Sequence, residues 1–405
     1  MPTPARPRVL FLTTDIPRNG GSGGQIASWR LLEAFAEFGT PDVLALTPAG
    51  QEAPRELLEL AERVELVGQR HFHYAKARVR TALIFAGATI RREPFRIAKS
   101  RSKEALARVR EWSADPGYDL VHCDHLATAP YRALVPAAPA ILTAHNVEWQ
   151  QFAQLSSQHA NPLVRIAMRA DSRRTRTWEA DALTAFEHVF VLSDGDRDRL
   201  LSERPDLAER ISVWPIPVHS APLPAPSAPA RFLVLGALSS VGRVNGLRWF
   251  MSEVWPGLRE RAPDARLEVV GARPPADIRR IDGKDGVRVH GFVEDLEEIL
   301  PAVTACVIPL FIGSGVRVKV LELIARGIPC VGTPVGLQGL MPLDGCFEVS
   351  DPDQWVRTLV EIAADPGPSR ELARRGAVQL ATEHSPAVAR ARLEEVLRRI
   401  GVGLA

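Results

Sequence analysis

Two glycine-rich stretches carry the residues best suited to holding an anion. The first, Asp15-Ile-Pro-Arg-Asn-Gly-Gly-Ser-Gly-Gly-Gln25, follows an apolar run ending at Thr13-Thr14 and leads into a helical pattern. Its glycines let a ligand approach the backbone, and a helix N-terminus offers free N–H groups. No Gly-Lys-Ser/Thr follows, so it is not a Walker loop. Nor is it a dinucleotide fingerprint: the glycine spacing differs, and the second strand ends Leu46-Thr47-Pro48 without the acidic residue that would hold a ribose. The second stretch begins where a strand ends at Ile308-Pro309. Gly313, Ser314 and Gly315 form a turn, and a helix is expected from near Val316 to a terminating glycine, Gly327. Arg317 and Lys319 put two cations at the start of that helix, where they oppose the dipole unless an anion binds. Glu322 follows Lys319 by three positions, so an ordinary i, i+3 ion pair competes with a ligand-binding role for both.

Three further segments end strands on polar or glycine residues. His145 and Asn146 close Thr143-Ala-His-Asn-Val-Glu148. Arg243 lies a few residues beyond Gly236. Gly291, Phe292 and Val293 follow His290 and expose backbone groups to a ring or base. Each could equally be structural, His145 as a satisfied histidine and Arg243 as a surface arginine. Two decoys are set aside. Asp194-Gly-Asp196 resembles a metal-chelating pair, but it opens a helix after Ser193, where carboxylates complement the dipole. His122-Cys-Asp-His125 has ligand-type residues on or just past a strand without a second cluster, so a metal site is disfavoured there.

The elements that must position these residues alternate throughout. Strands are expected at Val9–Thr13, Val43–Leu46, Leu120–His122, Ala140–Thr143 and Val189–Leu192, then at Phe232–Gly236, Leu267–Gly271, Val287–His290, Ala305–Ile308 and Cys330–Thr333. Amphipathic stretches such as Ala27–Phe38 and Leu247–Arg261 separate them. Continuous apolar strands each followed by a helix indicate parallel sheets covered on both faces, the doubly wound α/β class. Prolines crowd the segment from Ile216 to Ala230 and forbid helix or central strand there. Two domains are therefore expected, 1–218 and 231–385, with a stiff linker at 219–230 and a C-terminal helix at 386–405. Ligands of such sheets bind beyond the C-terminal strand ends, so a cleft between the domains is the default site.

Composition narrows the class. The chain has 405 residues, 46% hydrophobic and 24% charged, which excludes a disordered chain. Fifty basic against 48 acidic residues leave a net charge of +2, which does not mark a nucleic-acid binder. The four cysteines show no C-x-x-C spacing and read as buried reduced thiols of a cytosolic protein. No apolar run is long enough for a signal peptide or a membrane span. One local excess stands out: residues 63–110 hold 13 Lys+Arg against three acids, 13 − 3 = +10, with Phe72, Tyr74, Leu83, Ile84, Phe85 and Phe95 interleaved. Such a face is either solvated and partly paired, or a peripheral contact for anionic lipid.

Together these segments resemble glycosyltransferase family 4, the retaining, nucleotide-sugar-dependent transferases of GT-B fold, two Rossmann-like domains facing across a cleft. The resemblance runs in order through Gly20-Gly-Ser-Gly-Gly-Gln25, Ala144-His-Asn-Val147, Val191-Leu-Ser193, Gly236-Ala-Leu-Ser239, Val270-Gly271, His290-Gly-Phe-Val293, Gly313-Ser-Gly-Val-Arg-Val-Lys-Val-Leu-Glu322, Gly327-Ile-Pro-Cys-Val-Gly-Thr-Pro-Val-Gly336 and Gly339-Leu340. It implies that the second domain binds the donor through Gly236, Arg243, Gly291, Phe292, Val293, Gly313, Ser314, Gly315, Arg317, Lys319, Leu321 and Glu322. Glu322 would accept the ribose hydroxyls, and Arg317 and Lys319 would steady the diphosphate. Gly23 and Gly24 would approach the phosphate from the first domain. His145 would lie near the transferring sugar, and Gly21, Gln25 and Asn146 on the acceptor side. Members of the family often carry a second Glu eight positions before Glu322; here that position is Ser314.

The implied reaction breaks the bond from sugar C1 to a phosphate oxygen. Charge grows on the leaving diphosphate, where fixed cations and helix-end N–H groups stabilise it. The leaving phosphate can take the acceptor's proton on the same face, retaining the anomeric configuration without paired carboxylates. No metal and no cofactor beyond the donor is then expected. The partners expected are a nucleotide sugar and a carbohydrate, lipid-linked or small-molecule acceptor, with the protein cytoplasmic or peripheral on the inner membrane face. An epimerase or phosphorylase of the same fold, and a non-catalytic nucleotide-sugar binder, remain alternatives. Nucleotide release with and without acceptor separates them.

Overall fold

The computed structural model describes residues 6–69, 78–114, 117–158, 161–224, 226, 229–313, 315–340 and 342–404. It divides into two compact units: the chain up to Ile216 together with Ala387 onward, and Pro217–Pro386. The first contains β1 (Arg8–Thr13), β2 (Thr40–Pro48), β3 (Arg63–Gln69), β4 (Leu120–Asp124), β5 (Ala140–Ala144), β6 (His188–Val191) and β7 (Ile211–Val213). These form one parallel sheet in the order β3-β2-β1-β4-β5-β6-β7. Its helices are α1 (Gly23–Phe38), α2 (Arg55–Leu60), α3 (Arg78–Ile90), α4 (Phe95–Ser100), α5 (Lys103–Trp112), α6 (Glu148–Gln158), α7 (Pro162–Ala182) and α8 (Asp194–Glu203). The second unit has β8 (Arg231–Leu235), β9 (Arg266–Val270), β10 (Val287–Gly291), β11 (Ala305–Ile308), β12 (Cys330–Gly332) and β13 (Cys346–Glu348), parallel in the order β10-β9-β8-β11-β12-β13. Its helices are α9 (Val241–Trp249), α10 (Trp255–Arg261), α11 (Ala276–Arg279), α12 (Val318–Ala325), α13 (Pro352–Ala364) and α14 (Gly367–Glu383). The last helix, α15 (Pro386–Arg399), continues from Ala387 in the first unit.

The ten expected strands all form, nine of them within one or two residues at their ends, and β2 starts three residues before the expected Val43. Three more, β3, β7 and β13, escape the sequence reading. All three are edge strands. β3 mixes Arg63 and Glu65 into its apolar pattern, and the other two are three residues long. Edge strands are kept short or charged against unwanted pairing, which erases the apolar run that marks a central strand.

Two boundaries differ from expectation. The proline segment, expected as a stiff linker, is held to the second unit: the Ala221 and Leu223 N–H groups donate to the Ala325 and Arg326 carbonyls at 3.0 and 2.8 Å. They satisfy carbonyls that the end of α12 leaves open. The C-terminal helix is not a separate element either. Within the first unit Arg399 bonds His188 Nδ1 at 2.7 Å, and Arg390 pairs with Glu37 at 3.4 Å. In the second unit α12 ends as the sequence implies. Gly327 adopts φ +69°, its N–H donates to Ile324, and the Ile328 N–H donates to Leu323 at 2.9 Å, the two bonds of a Schellman cap. The start of α12 differs: it begins at Val318 with Arg317 as N-cap, two residues later than expected.

Candidate functional site

Each sheet reverses its direction of growth at one point, between β1 and β4 in the first unit and between β8 and β11 in the second. At such a point the connections leave for opposite faces and open a crevice beyond the strand ends. Most of the residues singled out in the sequence fall at these two places.

In the second unit, α9 starts after the Gly236 turn and presses on the end of β11. A side chain at Gly246 would collide with the Pro309 carbonyl, so glycine is required for this approach. Arg243, in the first turn of α9, folds over Gly236; a Cβ there would lie 2.7 Å from Arg243 Nη1. Lys319 enters from the first turn of α12. Burial lowers the pKa of Arg243 and of Lys319, and the Arg243 charge pushes Lys319 further the same way while Glu322 opposes it. Neither cation forms an ion pair among the described residues, so the i, i+3 bridge from Lys319 to Glu322 does not form. Two half-buried like charges beside a helix N-terminus are costly by themselves and suited to a polyanion.

The other expected donor residues divide. Gly313 adopts φ +150° and leaves the space that the Arg317 guanidinium occupies. Arg317 is bent back over Gly313, with Nη2 donating to the Val335 carbonyl, beyond β12, at 3.3 Å. Gly315 is buried, Glu322 is half-buried, and Ser314 lies outside the described residues. Leu321, expected on the donor side, is 2% exposed, so its side chain packs inside and only its backbone is left for that role. The Gly291 carbonyl already accepts from the Gly271 N–H at 2.7 Å. Phe292 beside it is 71% exposed and Val293 is half-buried. Exposed Val241 and Phe311, on the connections after β8 and β11, add apolar surface at the same sheet end.

In the first unit, Ser22 caps α1 by accepting from the Gln25 N–H at 3.3 Å, and Gln25 Oε1 accepts from the Ser22 N–H at 3.0 Å. The Gln25 amide also donates to Asp15 Oδ1 at 3.2 Å. Gln25, expected on the acceptor side, is thus a brace for the loop. Gly21 takes φ +115° in that loop, and the Gly23 and Gly24 N–H groups lie outside the cap.

Beyond β4 the sequence reading missed the centre of the crevice. Asp124 is fully buried and accepts from Thr13 Oγ1 at 2.9 Å, Ser28 Oγ at 2.5 Å and His145 Nε2 at 2.5 Å. His125 Nδ1 stands 3.3 Å from its carboxylate, and the His125 and His145 rings stack at 3.9 Å. Burial would raise the Asp124 pKa, but His145 and His125 hold it well below the usual range. Burial opposes the charged form of His125, yet Asp124 raises its pKa; burial, then His125, lowers that of His145. The ligand-type atoms of Asp124, His125 and His145 lie within 4.8 Å of one another. The carboxylate is already engaged by three donors. His122 faces away, between Phe11 and Phe35, where burial drives its pKa down to about 3. The signal was present in Asp124-His125, but β4–β5 pairing of Asp124 with Thr143 is needed to bring His145 alongside. Asn146 follows His145 half-buried. The second decoy resolves as expected: Ser193 caps α8, and Asp196 is buried against Ser193 and Arg199.

Comparison with known proteins agrees with this geometry. Residues 229–365 match the family model described as Glycosyl transferases group 1. An uncharacterized 44.6 kDa protein of the cps region of Klebsiella pneumoniae is 22% identical over 351 residues, 82% of this chain and 84% of that protein. Among solved structures, a glycosyltransferase from Rickettsia africae superposes with a TM-score of 0.65 at 12% identity, over 97% of this chain and 98% of that one. WaaG, a glycosyltransferase involved in lipopolysaccharide biosynthesis, gives 0.62 at 15% identity, over 98% and 100%. Anabaena HepE, solved with UDP and glucose, gives 0.60 at 13% identity, over 97% and 100%. The chain has the GT-B fold, with two parallel sheets of seven and six strands.

Proposed function

We propose that this protein is a retaining glycosyltransferase that moves a hexosyl group from a nucleoside diphosphate sugar to an acceptor hydroxyl. One observation carries the reading: Arg243 and Lys319 stand half-buried at the switch point of the second unit, beside the N-terminus of α12, with no ion pair among the described residues. A diphosphate supplies the charge they lack. Glu322, on the same helix, accepts the ribose hydroxyls, and the exposed Phe292 ring lies against the base. Gly23 and Gly24 offer N–H groups to the phosphate side, and His145, fixed by Asp124, serves the sugar. The cations and helix N–H groups stabilise the leaving diphosphate, and its oxygen takes the acceptor proton, so no metal is required. The capsule-region relative and WaaG favour a cell-envelope polysaccharide or glycolipid as acceptor. The protein then works on the cytoplasmic side, where nucleotide sugars are made.

The test is a thermal-shift screen with UDP, GDP, ADP and TDP and their sugars, followed by turnover with the best donor in the presence of a chelator. A ligand specific for the folded state raises Tm by mass action. The reading fails if no nucleoside diphosphate shifts Tm, or if Arg243→Ala and Lys319→Ala leave the shift unchanged.

A further inference from the structure

Helix α7 is amphipathic in the wrong sense. Its buried positions are polar (Asp171, Ser172, Thr175 and Glu179), while its first turns expose Leu163 (74%) and Ile166 (64%). Helix α3 exposes Leu83 (67%) and Ile90 (83%). With Val164, these are five of the seven large apolar side chains exposed in the described part of the first unit. A helix that turns leucine and isoleucine to solvent marks a contact surface.

The two helices share one anchor. Phe85 of α3 packs on Phe95 at the start of α4, with ring centroids 5.8 Å apart. The Phe95 N–H donates to buried Asp171 of α7 at 3.1 Å, and Arg174 of α7 donates to the Glu93 carbonyl at 3.3 Å. Asp171 bonds the start of α4 and pairs with Arg174, and Arg176 pairs with Glu203, which leaves exposed Arg169 and Arg173 as the basic groups of this face of α7. Residues 78–92 hold four arginines and no acid. Residues 161–178 hold five arginines and one acid, Asp171. Exposed Arg92, Arg169 and Arg173 form no ion pair among the described residues. The sequence expectation placed the lipid contact across 63–110. Within it Arg63, Arg91, Arg96, Arg101 and Arg108 are instead paired with Asp42, Glu93, Glu148, Glu93 and Glu65, and residues 70–77 lie outside the described ones.

We infer that α3 and α7 form a docking face for an anionic bilayer surface. Leu83, Ile90, Leu163 and Ile166 enter the headgroup boundary, and Arg92, Arg169 and Arg173 meet the lipid phosphates. No helix among the described residues is long and apolar enough to cross a membrane, so the contact is peripheral. The face requires nothing of the transferase reading, and turnover on a detergent-free soluble acceptor tests that reading separately.

Sedimentation of the full chain with vesicles is the experiment. Phosphatidylcholine vesicles containing phosphatidylglycerol should carry the protein down at low salt, and pure phosphatidylcholine should carry far less. Arg169→Glu with Arg173→Glu should weaken binding by more than about tenfold, since each basic residue near the surface contributes on the order of 1 kcal/mol. Leu163→Ser with Ile166→Ser should weaken it at low and high salt alike. All four positions are exposed, so Tm should hold and show that the variants fold. Equal absence from neutral and anionic vesicles overturns the inference, as does undiminished binding by both double variants. A dimer that the apolar pair dissociates, without vesicle binding by the wild type, assigns the face to a second copy and overturns it too.

Discussion

The two crevices arise from one topology and are filled in opposite ways. In the first unit a buried carboxylate, Asp124, is engaged by Thr13, Ser28 and His145, with His125 beside it. Its charge is balanced from within the fold. In the second unit burial disfavours the charges of Arg243 and Lys319, and neither forms an ion pair among the described residues. Balanced charge serves stability and orientation. Unbalanced charge serves a ligand, because the molecule gives up stability until the ligand arrives. On the proposed reading, the first crevice positions groups and the second binds the polyanion.

The largest effect should come from the ribose side of the second crevice. If Glu322 accepts two hydroxyls at about 1.5–3 kcal/mol each, Glu322→Ala should cost roughly 3–6 kcal/mol. That is more than a hundredfold in kcat/KM, at tenfold per about 1.4 kcal/mol. Ser314→Ala should cost less than about tenfold, the worth of one neutral hydrogen bond. Steady-state kinetics with the true donor decide this. Near-native kcat/KM for Glu322→Ala, or a larger loss from Ser314→Ala, would remove the assignment.

The two crevices should also differ in the sign of their stability response. Asp124→Ala leaves His125, His145, Thr13 and Ser28 without their common acceptor and should destabilise by about 3–5 kcal/mol. Lys319→Met removes a charge whose burial outweighs the pull of Glu322 and should leave the unliganded protein as stable or more so, while sharply weakening the Tm rise given by a nucleoside diphosphate. Loss of nucleoside binding in equal measure would show that Lys319 does not serve the phosphates. Similar destabilisation by both substitutions would erase the distinction between the crevices.

Local patterns made the second crevice readable and left the first obscure. A strand end, a glycine turn and a helix start lie within Ile308–Val318, so chemistry and geometry share one stretch of chain. The pair Asp124–His145 spans 21 residues and exists only because β4 lies beside β5. Asp124 therefore read as part of a poor metal motif. Leu321 reads as a donor-side residue because the resemblance spans the whole helix, while periodicity turns its side chain inward. The return of α15 to the first unit depends on contacts such as Arg399–His188, which no local signal announces.

The smallest effect concerns how the first unit keeps its charges balanced near His145. Glu179 of α7 is 1% exposed and accepts from the Glu148 and Trp149 N–H groups, at 3.1 and 3.4 Å, at the start of α6. Glu148 itself is bonded to Arg96 at 2.5 Å. Burial first, and the Glu148 charge second, push Glu179 from its ordinary 4.5 up to about 8. Between those values the folded chain holds a proton that the unfolded chain has lost. Stability from this group is therefore complete below about 4.5 and declines as pH rises to about 8. Glu179→Gln keeps a carbonyl acceptor for the nearer N–H group, that of Glu148, and cannot ionise. Its Tm should match the wild type at the acid end of that window and exceed it increasingly toward the alkaline end. A Tm difference that stays constant with pH would show that Glu179 is ionised throughout. The first crevice would then carry an unbalanced charge of its own, and the contrast with the second would narrow to the two cations.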